Sequence, residues 1–185
     1  MRMNRILVAA AAIAVLAAAG AYAGGGGGAG GVTHGFQYLE LDNGWYSVDV
    51  QENTVGGFGY GVNRRGERIG GFGLAFFSAD PAVVFEGGVG GLINGQQFSI
   101  GPLTAAAVAW TGIGCLRAGV PGMTGAWLTL FLEADLEIGW ALTPGLQVTG
   151  YGGVQVMANL APGDPFTGML FYTPTVGVRI AWGSF

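Results

Sequence analysis

Residues 127–142 read WLTLFLEADLEIGWAL, and this stretch decides the fold because its two alternating faces differ in chemistry. The even-numbered positions carry only apolar side chains, whereas Glu133, Asp135 and Glu137 stand in a row on the odd-numbered face. Residues i, i+2 and i+4 share one face of a strand, but helical winding would scatter these acids over both sides. The alternation therefore predicts a β-strand with one apolar and one acidic face.

The length of this strand indicates its surroundings. Strands of soluble proteins typically have about 5–6 residues, whereas a tilted strand needs about 9–11 residues to cross the hydrocarbon of a membrane. The alternation in residues 127–142 exceeds both lengths. We therefore expect the apolar face to lie against lipid and the acidic face to lie in an enclosed interior.

Similar alternation recurs along the chain, in residues 46–62, 72–76, 83–93, 146–158 and 172–182. Residues 103–116 are apolar on both faces, so their orientation cannot be assigned. Turn signals fall near residues 43–44, 64–66, 80–81, 94–95, 119–122, 144–145 and 162–165. Seven turns predict an all-β fold, a closed antiparallel transmembrane β-barrel of about eight strands in up-and-down meander order. An even number of strands places both ends of the barrel chain on the same side as the turns near 64, 95 and 144; in a bacterial barrel this side would be the periplasmic one.

The composition excludes several classes of function. Only 10% of the residues are charged, against about 25% in an ordinary soluble domain. The chain has no lysine, which excludes phosphate-binding loops that need one and Schiff-base chemistry. Its acidic balance argues against nucleic acid as a partner. Cys115 is the only cysteine, so no intramolecular disulfide can form.

The N-terminus has the three parts of a secretory signal peptide. Arg2 and Arg5 precede an apolar run over residues 6–19, and Ala21-Tyr22-Ala23 forms a small-residue cleavage site. We predict cleavage after Ala23; a retained membrane anchor is the alternative. Residues 24–34 are predicted to be a glycine-rich flexible leader, and residues 35–185 to form the barrel.

The C-terminal tail resembles the assembly signal of bacterial outer-membrane barrels, which reads polar-x-Gly-x-x-hydrophobic-x-hydrophobic. Thr175, Gly177, Ile180 and Trp182 fill its positions, and Phe185 is a typical terminal aromatic. Strand number and size resemble the small barrels typified by OmpA, OmpX and OmpW. The resemblance implies a multi-pass outer-membrane location and two partners, outer-membrane lipid and the barrel assembly machinery.

Charged and amide side chains on the polar faces are predicted to point inward. They are Asp49, Gln51, Glu86, Glu133, Asp135, Glu137, Gln147, Gln155 and Arg179. A buried cation needs anionic partners, and the strands of Arg179 and the three acids are separated by one strand, roughly 10 Å at the usual spacing. We therefore expect Arg179 to pair with one or more of Glu133, Asp135 and Glu137. The alternative is that these groups only solvate a narrow lumen.

Aromatic residues near the strand ends are candidates for membrane-interface girdles, with burial in a core as the alternative. They are Trp45, Tyr46, Trp127, Trp140, Tyr172 and Trp182.

No catalytic, metal-binding or cofactor-binding motif is present in the sequence, so we expect no enzyme, no metal and no cofactor. His34 is the only histidine, and no serine has a recognisable catalytic context. The sequence favours an envelope-structural or surface-interaction role with an external surface ligand. The alternative is a narrow pore for small cationic or hydrophobic solutes, and a third possibility is a secreted glycine-rich β protein without a membrane.

Overall fold

A computed structural model describes residues 27–42, 47–79, 83–120, 123–160 and 170–184 of the chain. Side chains are described in these ranges except at residues 27, 37–42, 47–50, 120, 123–124, 127 and 170–171. The predicted signal peptide, residues 1–23, lies outside the described residues.

Eight antiparallel strands close into one barrel, which confirms the predicted fold class and meander order. The strands are β1 (Gly27–Asp42), β2 (Ser47–Val62), β3 (Glu67–Ser78), β4 (Val84–Ile100), β5 (Leu103–Val120), β6 (Met123–Thr143), β7 (Leu146–Asn159) and β8 (Leu170–Ser184). Each strand pairs with the next one, and β8 pairs with β1 from Gln37↔Thr175 to Gly28↔Ser184. Closure removes the unpaired edges of an open sheet. Among the described residues, no helix is long and apolar enough to cross a membrane.

Three short turns lie at one end of the barrel, together with the start of β1 and the end of β8. These turns are residues 63–66, 101–102 and 144–145, and we call this end the turn end. The other four connections lie at the opposite end, the loop end, and most of their residues lie outside the described ranges.

The turn predicted near residues 94–95 is wrong. Asn94 and Gly95 lie inside β4 and pair with Ala109 and Val108. The chain turns instead at Gly101-Pro102, where Gly101 has a positive φ of 59° that favours glycine. Residues 96–100 pair with residues 103–107, so the hairpin continues past the Asn-Gly signal.

The predicted leader is also wrong over residues 27–34, because β1 already begins at Gly27. These residues pair on one side with β2 and on the other with β8. A glycine-rich run has little intrinsic strand preference. Here two neighbouring strands supply its hydrogen bonds, and the barrel closes through it.

The interior contains an aromatic cluster built by β2, β3, β5 and β6. The Phe72 ring lies 5.1 Å from the Trp110 ring and 5.6 Å from the Phe131 ring. Phe58 lies 5.9 Å from Trp110, and Phe76 lies 5.9 Å from Phe131. All five side chains are buried. This cluster fills one side of the lumen, and the charged residues of β6 and β8 fill another.

Candidate functional site: an interior arginine–carboxylate cluster

The three acids of β6 point into the barrel, as predicted. Glu133, Asp135 and Glu137 are 3–4% exposed, whereas Leu136 and Ile138 on the other face are at least 70% exposed. The strand period of two therefore produces a row of carboxylates along the inner wall.

Arg179 of β8 binds all three of these acids. Its Nη2 lies 2.5 Å from Asp135 Oδ2 and 3.5 Å from Glu133 Oε1, and its Nη1 donates to Glu137 Oε1. The guanidinium reaches them across β7, the intervening strand. These are the ion pairs expected from the sequence, and they connect β6 and β8 through the lumen.

Two aromatic rings contact the same guanidinium. Arg179 Cζ lies 4.3 Å from the centroid of Trp110 and 3.7 Å from that of Tyr151. Arginine over an aromatic face gains a cation–π attraction, which strengthens when water is excluded. The charged group is therefore held by both carboxylates and rings.

Arg68 of β3 is a second buried cation, and the sequence interpretation missed it. Its Nη1 lies 2.5 Å from Glu137 Oε2, its Nε donates to Gln97 Oε1 at 2.8 Å, and its Cζ lies 4.3 Å from the Tyr60 centroid. Glu137 therefore bridges the two arginines. The signal that could have identified Arg68 is its even-numbered position, which it shares with the buried Phe72 and Phe76.

Glu86 is not part of this cluster, so its predicted inward orientation is wrong. Its side chain is 40% exposed on the outer face and accepts from Arg117 Nη1 at 3.1 Å. The inward positions of β4 are filled by Phe85, Val89 and Ile93, because a narrow lumen must be filled by side-chain volume. Gln51, also predicted inward, is exposed for the same reason, since the bulky Phe58 and Tyr60 occupy the inner face of β2 together with Glu52.

Asp49 lies in β2 opposite Glu40, and its side chain lies outside the described part of the chain. Gln147 and Gln155, predicted inward, are each 1% exposed.

Arg179 lines two small cavities inside the barrel. Each has a volume of about 10 Å³, roughly that needed for one water molecule. The first is bounded by Thr33, Glu133 and Gln155, and the second by Phe58 and Arg68. At these two places the lumen has room for about one water molecule and not for a solute of several atoms.

The tail residues divide between the two faces of β8. Thr175 is buried, whereas Ile180 and Trp182 are 42% and 47% exposed on the outer face. Gly177 lies beneath Tyr151, and a Cβ there would stand 2.6 Å from Tyr151 Cε1. Packing in the folded barrel therefore favours glycine at position 177, and the role of Gly177 in assembly stays a prediction. Phe185 lies outside the described residues.

Three of the predicted girdle residues are exposed on the outer surface. Trp140 and Trp182 lie near the turn end and Tyr172 lies near the loop end. The side chains of Trp45, Tyr46 and Trp127 lie outside the described part. Among the described residues, no group of His, Cys, Asp or Glu is arranged to hold a metal ion.

Comparison with solved structures shows a shared fold. Neisserial surface protein A (NspA) superposes with a TM-score of 0.59 at 8% identity, over 86% of this chain and 98% of NspA. Ail, the attachment invasion locus protein of Yersinia pestis, superposes with a TM-score of 0.51 at 9% identity, over 86% of this chain and 99% of Ail. No family model matches the sequence, and no curated protein matches it.

Proposed function

We propose that this chain is an integral outer-membrane β-barrel with a structural or surface-interaction role in the cell envelope and no enzymatic activity. The observation that carries the proposal is a closed barrel with an apolar outer surface and a filled interior. The fold shared with NspA and Ail supports the architecture.

The outer surface has the chemistry of a membrane-facing surface. Leu92, Phe98, Leu136 and Ile138 are 66–72% exposed. Among the described side chains, the charged ones on the outer face of the strands are near strand ends: Glu67, Glu86 and Arg117. Soluble monomers rarely expose such large contiguous apolar patches, whereas membrane barrels carry an apolar band about 25 Å tall. We therefore propose that this surface contacts lipid.

The interior argues against the alternative of a narrow pore. Arg179 and Arg68 are ion-paired across the lumen, and the aromatic cluster fills the space beside them. Passage of a hydrated ion would require breaking buried ion pairs, which costs several kcal/mol per ion. We therefore assign the proposed role to the outer surface and the loop end rather than to the lumen.

Reconstitution tests this proposal. The chain lacking residues 1–23 should fold only with detergent or phospholipid, migrate differently on gels before and after boiling, and show no steady conductance in planar bilayers. A folded monomer in plain buffer would contradict the membrane assignment. Steady cation-selective conductance would instead favour the pore.

Export, cleavage and assembly are part of the proposal. N-terminal sequencing of the protein from outer membranes should begin at Gly24. Depletion of the barrel assembly machinery should reduce the amount of folded protein. An intact N-terminus in the membrane fraction would favour the retained anchor.

A further inference from the structure

The turn between β2 and β3 carries two adjacent exposed arginines, Arg64 and Arg65, at the turn end. The other described arginines, Arg68, Arg117 and Arg179, are all ion-paired. Neither Arg64 nor Arg65 forms an ion pair with any residue that the structure describes. The nearest acid in sequence, Glu67, accepts instead from Asn63 Nδ2 at 2.5 Å. The turn thus presents two cations whose anionic partner is not provided by the described chain.

The backbone of this turn is held in place by a network of hydrogen bonds. Asn63 Oδ1 accepts from the backbone nitrogens of Arg65 at 2.8 Å and Glu67 at 3.0 Å. Gln96 Nε2 donates to Arg65 O at 2.6 Å, and Gln97 N donates to Gly66 O at 2.8 Å. Such a preorganised turn loses little conformational freedom when it binds a ligand.

The turn lies close to the border of the apolar outer surface. Ile69, on the outer face of β3, is 58% exposed, and Phe98 and Ile100 at the end of β4 are 66% and 82% exposed. Arg65 is four residues before Ile69, which corresponds to about 13 Å along a strand and less along the axis of a tilted one. The headgroup layer adds roughly 5–7 Å to each side of the hydrocarbon. An arginine side chain is long enough to cover the remaining distance between the turn and this layer. A guanidinium of this turn that is directed toward the membrane therefore reaches the depth of lipid phosphates.

We propose that Arg64 and Arg65 form a binding site for the phosphate of an anionic phospholipid in the leaflet at the turn end. This inference rests on the proposed membrane function. Arginine suits phosphate because its planar fork donates two parallel hydrogen bonds. Each basic residue at an anionic membrane surface contributes about a fivefold gain in binding, so two contribute about thirtyfold.

The test uses the folded barrel in neutral detergent micelles, titrated with phosphatidylglycerol or phosphatidylcholine and read by native mass spectrometry. The native chain should retain phosphatidylglycerol in preference to phosphatidylcholine. R64Q/R65Q should weaken phosphatidylglycerol binding about thirtyfold and leave phosphatidylcholine binding unchanged. The matched control is R117Q, which removes an exposed arginine near the loop end and should bind phosphatidylglycerol like the native chain.

Three outcomes would overturn the inference. The first is an unchanged preference for phosphatidylglycerol in R64Q/R65Q, and the second is an equal loss of phosphatidylglycerol binding in R117Q. The third is complete displacement of bound phosphatidylglycerol by inorganic phosphate at matched ionic strength, which would assign the site to free phosphate. Folding into pure phosphatidylcholine vesicles is measured first for every variant. Failure of the native chain there contradicts the membrane function itself, whereas the lipid preference is read only in barrels that have folded.

Discussion

Replacement of Arg179 by methionine should strongly destabilise the barrel, because this side chain is the common partner of three buried acids. It is 3% exposed and contacts Glu133, Asp135 and Glu137. In R179M, Arg68 still binds Glu137, but Glu133 and Asp135 lose their arginine. Removing one partner of a buried ion pair costs about 3–5 kcal/mol. We expect a loss of that size in the free energy of unfolding.

The assay is urea unfolding of the barrel in phospholipid vesicles, followed by tryptophan fluorescence and checked by heat-modifiable gel migration. Arg117→Met is the matched control, because Arg117 also forms an ion pair but its side chain is 54% exposed. Exposed pairs contribute about 0–1 kcal/mol, so this control should change stability little. Equal effects of the two substitutions would refute the reasoning.

A mutant cycle separates the ion pairs from simple packing. Asp135→Asn should cost less in the R179M background than in the native chain, with a coupling energy of about 1–3 kcal/mol. If R179M does not refold, R179M/E133Q/D135N, which removes two of the buried charges, should regain a folded population. A coupling energy near zero would show that the contacts in the cluster carry no mutual stabilisation.

Three further substitutions, two at packed positions and one in a turn, test the structure, the first of them with a control on the outer face. Phe131→Ala, inside the aromatic cluster, should lower the free energy of unfolding by about 3–5 kcal/mol, whereas Leu132→Ala on the outer face should cost much less; equal losses would contradict the assignment of faces. Gly177→Val should cost about 1–3 kcal/mol in vesicles without assembly machinery, because a Cβ there would overlap the backbone oxygen of His34 as well as the Tyr151 ring; a defect seen only in cells would assign Gly177 to assembly alone. Gly101→Ala, at a φ of 59° with open space around it, should cost about 1–2 kcal/mol; unchanged urea unfolding would show that the turn does not need this conformation.

The sequence predicted the faces of β6 and β8 correctly because their charges leave one consistent arrangement. If Glu133, Asp135 and Glu137 faced lipid, three ions would lie in hydrocarbon, so only the inward orientation is physically acceptable. The predicted strand order also placed Arg179 two strands away from the three acids, with one strand between them. The ion pairs could therefore be expected before the structure was known.

The faces of β2, β3 and β4 were not predictable from hydropathy. In the middle of β3 one face carries glycine and alanine and the other carries large apolar side chains, as with Gly71 and Gly73 against Phe72 and Leu74; in β4 glycines occur on both faces. Hydropathy places the rings of Phe58, Phe72 and Phe85 toward lipid, but the structure places them inside. Side-chain volume decides which face of these strands points inward. Glycine cannot fill a lumen, whereas lipid chains can adapt to a smooth outer wall.

The same reason explains why Arg68 was missed and Glu86 misplaced. Arg68 shares the inner face of β3 with Phe72, whereas Glu86 lies on the outer face of β4, the face that Phe85 does not use. Both orientations follow when the bulkier apolar side chains are assigned to the lumen. The start of β1 at Gly27 and the turn at Gly101 depend on tertiary pairing, which overrides the local signals of a glycine run and of Asn94-Gly95.

The central claim, that the outer wall of this barrel faces hydrocarbon, is tested most directly by Leu136→Arg. Leu136 is 72% exposed, lies well inside β6 and is opposite Ala107 and Gly152 on the neighbouring strands. Arginine near the middle of a bilayer costs a membrane barrel about 2–4 kcal/mol, whereas an exposed substitution in water usually changes stability by no more than about 0.5 kcal/mol. We predict that L136R lowers the free energy of unfolding by about 2–4 kcal/mol in urea unfolding from phospholipid vesicles. Unchanged stability of L136R would contradict the claim.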